Sequence, residues 1–170
     1  MCIIRCEITY FVHNGLWIIE IFWPFVSILA GCPQVLLDKI QRVIHCSARL
    51  IYKTSKSARI TPLLFDLHWL PMNSRIQYKI ALTCLHIICG TAPPYLSELL
   101  HLYFPSPSLR SASDTRIFRV PRVCRRTLGE RSFQYIGPVI WNSLPVSVRH
   151  AMSLFSFKSK LKTHLFSFAY

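Results

Sequence analysis

Between Pro105 and Arg131 the chain carries seven arginines, Arg110, Arg116, Arg119, Arg122, Arg125, Arg126 and Arg131, and no lysine. A guanidinium presents a planar fork of donors that meets two phosphate oxygens at once, so arginine-only usage suits phosphate contact. A second basic cluster, Lys158, Lys160 and Lys162, sits near the C-terminus. These ten residues are the candidate contacts to a polyanion.

The acids argue against hydrolytic or polymerase chemistry. Two-metal polymerases and nucleases gather carboxylates around their ions. This chain has seven acids among 170 residues, and no two lie closer than thirteen positions. There is no Asp-Asp pair, no Asp-x-Asp and no His-Glu-x-x-His, so no catalytic residue is assigned and no enzyme is expected. The seven cysteines are irregularly spaced and include no Cys-x-x-Cys. Cys84 and Cys89, with His86 between them, come nearest to a metal cluster, but no second half at zinc spacing follows. The expectation is buried free thiols, no metal, no cofactor and no small-molecule substrate. An odd, irregular cysteine set also fits a reducing intracellular compartment, cytoplasm or nucleus.

Charge divides the chain unevenly. Residues 1–38 hold one basic residue, Arg5, and three acids; residues 39–170 hold nineteen basic and four acidic residues. Such asymmetry suggests a body that faces a polyanion and a head of another kind. Residues 16–32, LWIIEIFWPFVSILAGC, are the most apolar stretch, interrupted by Glu20 and Pro24. A spanning helix needs about 20 apolar residues. One reading therefore anchors a small membrane-associated protein through residues 16–32, with a basic cytoplasmic body. The other places RNA or DNA on the basic body, bound electrostatically and with low specificity.

The elements that must position these residues read as helices. Residues 34–53 form an amphipathic helix, with Leu36, Ile40, Val43, Ser47, Leu50 and Ile51 as the core-facing stripe. Thr61-Pro62 opens the next helix, and Pro71 stops it. Residues 73–89 form a long helix with Ile76, Ile80, Cys84, Ile87 and Ile88 on one face. Gly90 supplies its left-handed terminus, and Pro93-Pro94 opens a short helix. Residues 105–131 read as a loop or extended arm, with a short period-two strand at 116–120. Gly137-Pro138 breaks the apolar stripe of 132–144. Ser153 or Ser156 caps a final helix with Leu154, Phe157, Leu161 and Leu165 facing the core. Trp69 and Trp141 read as core anchors. The expected fold is mainly α, five or six helices in an irregular bundle with an arginine-rich extended arm (105–131). The expected organisation is a hydrophobic leader (1–32), a helical subdomain (33–104), the basic arm (105–131) and a C-terminal helical segment (132–170).

Several segments resemble, in order, the C-terminal region of LINE-type, non-LTR retrotransposon reverse transcriptase polyproteins. They are LLDKIQRVIHCSARLI (36–51), ITPLLFDLHWLPMNSRIQYKI (60–80), APPYLSELL (92–100), SLRS (108–111), VPR (120–122), GERSFQYIGPVIWNSLPVSVR (129–149) and SLFSFKSKLKTHLF (153–166). The resemblance covers about residues 33–170. In that family this stretch follows the polymerase fingers, palm and thumb. The palm Phe/Tyr-Ala-Asp-Asp motif and the upstream endonuclease have no counterpart here. The resemblance therefore implies a non-catalytic, nucleic-acid-binding end of an RNA-directed DNA polymerase. Residues 1–32 depart from the family pattern and read as an unrelated leader on a truncated element. Such truncation is expected to bare apolar faces on the first two helices.

Overall fold

A computed structural model of the chain describes residues 29–103, 116–123 and 129–170. The apolar stretch up to residue 28 lies outside the described residues, as do Arg110, Arg125 and Arg126. So do the SLRS segment and the bulk of the first half of the arm. Among the described residues the fold is mainly α, with seven helices. They are α1 (Gln34–Tyr52), α2 (Ile60–Asp66), α3 (Met72–Ile88), α4 (Pro94–Ser97), α5 (Phe133–Ser143), α6 (Val146–Arg149) and α7 (Leu154–Ala169). The count exceeds the expected five or six because α6 forms a separate turn after Pro145. No helix among them is long and apolar enough to cross a membrane.

The central element is α3. It packs against α5, α7 and α1, while α2 packs on α1 and α6 on α7. One apolar cluster joins all of these, from Leu37 and Ile44 through Ile80 and Cys84 to Trp141, Phe157 and Leu165. The helical segments on either side of the arm therefore share a core. Gly137 is buried where α5 meets α3: a Cβ there would make ordinary contact with the Cys84 sulfur at 3.4 Å and with Leu100 at 3.5 Å. Burial pushes the Cys84 thiol pKa strongly up, so it behaves as an apolar side chain.

Helix ends follow local chemistry. The Ser153 hydroxyl accepts the Ser156 N–H at 3.1 Å and caps α7. Gly90, at φ 69°, closes α3 with paired bonds from Gly90 N to Ile87 O and Thr91 N to His86 O. These are the bonds of a Schellman ending. The same ending closes α2 at His68 (φ 54°), with Trp69 N bonded to Leu64 O and His68 N to Phe65 O. That ends α2 at Asp66, five residues before Pro71, which was expected to stop it. The helix also begins at Ile60, one residue ahead of Thr61, and its N-cap is Arg59. α5 runs through Pro138 without a break. The proline has no N–H to give the Gln134 carbonyl, so α5 loses one bond there.

The stripe expected on α1 is corrected. Its buried residues are Leu37, Ile44 and Ala48. Leu36, Val43 and Leu50 instead face outward, at 46%, 61% and 77% exposure. Both stripes have helical spacing, so period alone does not separate them. Gln41 lies on the covered side, and its Oε1 accepts the Met72 N–H at 2.7 Å. That satisfies one of the orphan donors at the start of α3 and fixes the rotation of α1. Ala48, wholly buried, allows close approach on that side.

Candidate nucleic-acid interface

The site is built on residues 116–123. Leu102 and Phe118 form an isolated antiparallel bridge. Tyr103 N donates to Ile117 O at 2.7 Å, and Arg119 N donates to His101 O at 2.9 Å. Side chains alternate across an extended backbone. Phe118 therefore points inward and is fully buried, and Arg119 points out. This is the period-two pattern expected at 116–120, reduced to a single bridge.

The stretch is clamped by α5. The Phe118 N–H donates to Asn142 Oδ1 at 3.0 Å, and Asn142 Nδ2 donates to the Phe118 carbonyl at 2.8 Å. One amide side chain thus completes both backbone groups of Phe118, as a neighbouring strand would. Trp141 Nε1 donates to the Arg116 carbonyl at 2.8 Å. The Trp141 ring meets Phe118 edge-on at 5.9 Å and stacks on Phe157 at 5.6 Å. Leaving either buried backbone group unpaired would cost about 1–3 kcal/mol. Trp141 and Asn142 of the WNSLP run are therefore architectural.

Past the clamp an open groove of about 500 Å³ is lined by Leu99, His101, Arg119, Val120, Pro121, Arg122 and Gln134. Arg119 and Arg122 are both exposed. Leu99, Val120 and Pro121 add apolar surface to the same lining, and Gln134 adds an amide. The groove offers two exposed guanidiniums, an imidazole and an amide around a concave surface, which suits a phosphate-bearing ligand.

The other predicted contacts divide. Arg116 is directed inward: its Nη1 donates to the Arg149 carbonyl at 3.0 Å. In return, buried Arg149 donates from Nε to Leu144 O at 3.0 Å and from Nη1 to Arg116 O at 3.4 Å. Arg116 thus joins the arm to α6 instead of standing out as Arg119 and Arg122 do. Arg131 is exposed, and its aliphatic stem lies over Gly31 (φ 74°), where a Cβ would strike it. Lys160 donates to the Ser147 carbonyl at 3.2 Å and braces α7 to α6. Lys158 and Lys162 are exposed on the outer face of α7.

His101 and Gln134 were not picked out by sequence reasoning. They come to the groove through a pairing with residue 119 and through the placement of α5, neither of which leaves a local signal. Trp69 is half-buried, with the Arg75 guanidinium 5.7 Å from its ring centroid. Its carbonyl accepts the Tyr170 hydroxyl at 2.7 Å, so the HWLP run is tied to the end of α7. A second hollow of about 290 Å³ includes Asp38, Gln41 and His45. Its polar groups bond one another, Gln34 Nε2 to Asp38 Oδ1 at 2.9 Å and Gln41 to His45 at 2.8 Å. Among the described residues no group of three His, Cys, Asp or Glu could hold a metal ion.

No family profile, curated protein or solved structure matches the chain.

Proposed function

We propose that this chain is a non-catalytic nucleic-acid-binding module, the C-terminal end of a LINE-type reverse transcriptase, as its motif order implies. The observation that carries the reading is the groove. Arg119 and Arg122 flank it on a stretch of backbone clamped at Phe118. They are exposed to solvent, and among the described residues that line the groove none is acidic. A net charge of +13 draws polyanions to it from a distance. Arg131, Lys158 and Lys162 are exposed as well and add to the positive charge. RNA and DNA both present the required phosphates, and binding is sequence-tolerant because phosphates carry no sequence information.

The test is the salt dependence of oligonucleotide binding by the full chain. If five or six cations contact phosphate, the log–log slope on duplex DNA is roughly −4.5 to −5.4. The double variant Arg119→Gln/Arg122→Gln is expected to make that slope shallower by about 2. A slope near zero in the parent chain removes the reading.

A further inference from the structure

The outer face of α7 carries a feature that the groove does not absorb. Phe155 is 83% exposed, and it stands two positions from the fully buried Phe157, on nearly the opposite side of the helix. Helical spacing puts Lys158, Ser159 and Lys162 on the same face as Phe155, and all three are exposed. Phe166, eleven positions on, returns to that face. It forms an aromatic cluster with Phe65 (5.1 Å between centroids) and Tyr170 (4.9 Å). Phe65 is half exposed. The strip therefore runs aromatic, basic, aromatic over about 16 Å of helix.

We propose that this strip binds single-stranded nucleic acid, with Phe155 stacking on an unpaired base and Lys158 and Lys162 holding the adjacent phosphates. The inference rests on the nucleic-acid reading above and narrows its substrate class. Phosphate contact alone needs no exposed aromatic ring. A ring interleaved with lysines is what a strand with accessible base faces requires, and bases inside a duplex are not available to it. The charge of the strip is complementary to such a strand. A lipid surface fits less well. An interfacial helix separates an apolar face from a basic one, but the apolar side of α7 (Phe157, Leu161, Leu165) is already buried in the core. Of the exposed apolar residues of α7, Leu154 and Phe168 lie toward its buried side near the two ends, and Phe155 stands among the lysines, so among the described residues this helix does not separate an apolar face from a basic one.

The experiment measures binding of the full chain to a labelled single-stranded oligonucleotide and to a duplex of equal length. Phe155→Ala, Phe155→Tyr and Lys158→Gln/Lys162→Gln are compared with the parent. Circular dichroism checks each fold, and the exposure of residue 155 leaves the core untouched. Phe155→Ala is expected to weaken single-strand binding roughly tenfold and leave duplex binding unchanged. Phe155→Tyr keeps the parent affinity, and the lysine variant weakens both ligands. If Phe155→Ala changes neither ligand, or both equally, the stacking track is overturned while the electrostatic reading stands. If the parent chain binds no oligonucleotide, both fall. If Phe155→Ala instead abolishes binding to phosphatidylserine vesicles and spares the oligonucleotides, the strip is a membrane contact and the inference is overturned.

Discussion

At the scale of single residues, the side chains with the most constrained roles are the ones that read backbone. Asn142 and Gln41 each complete backbone groups far away in sequence, on Phe118 and Met72. The Gln41 bond also assigns a proton. Its Oε1 accepts the Met72 N–H, so its Nε2 faces His45 Nε2 at 2.8 Å and must donate. His45 is therefore neutral, with its hydrogen on Nδ1. Burial, and then the charge of Arg49, hold its pKa below the ordinary histidine value. Because the folded pKa is the lower one, the unfolded chain binds the proton more tightly. Stability is then full above the unfolded pKa of about 6.5 and falls as pH drops through it. Urea midpoints are expected to decrease from pH 7.5 to pH 5.5 in the parent chain. The decrease should be smaller in His45→Gln. Equal slopes in the two chains would show that another group carries the acid sensitivity.

At the scale of elements, α1 is the helix whose outer face is least settled by its neighbours. Leu36, Val43 and Leu50 recur at intervals of seven and stand in water beside the exposed Lys39, Arg42 and Lys53. An exposed apolar stripe of this kind promotes association. Replacing all three by serine is expected to lower light scattering at high protein concentration while leaving helicity in place, because α2 and α3 cover the opposite side. Serine lowers helix propensity by up to roughly 0.5 kcal/mol per position, so a small drop in melting temperature accompanies the gain in solubility. A variant that scatters as strongly as the parent would locate the association surface elsewhere.

At the scale of the whole molecule, α3 makes one cooperative unit of helices that the arginine-rich stretch separates in sequence. Leu161 of α7 and Ile80 of α3 are both essentially unexposed in the same cluster. Leu161→Ala is expected to cost about 2–5 kcal/mol. The loss should appear as equal reductions in hydrogen-exchange protection in α3, α5 and α7, since these open together. Protection lost in α7 alone would divide the molecule into separate folding units.

Much of this was legible from the chain itself. The helical class, the long helix before Gly90, the Ser153 cap, three of the four residues expected to face inward on α7 (Phe157, Leu161 and Leu165, whereas Leu154 at the first position is 41% exposed), and the structural place of Trp141 all follow from period and from residues within a turn of one another. So does the excess of positive charge, which is a sum that folding does not alter. Phe155 could also have been read: an aromatic off the apolar stripe, with lysines three and seven positions on, is a local pattern. The remainder needed the tertiary structure. Two stripes of equal period compete on α1, and only the partners that arrive on one side select Leu37, Ile44 and Ala48. Arg116 and Arg119 are identical in type and three positions apart. One turns in to the Arg149 carbonyl and the other out to the groove, because Trp141, Asn142 and His101 fix the backbone between them. Composition and period are properties of a segment, whereas the direction of a side chain depends on groups brought to it from elsewhere in the chain.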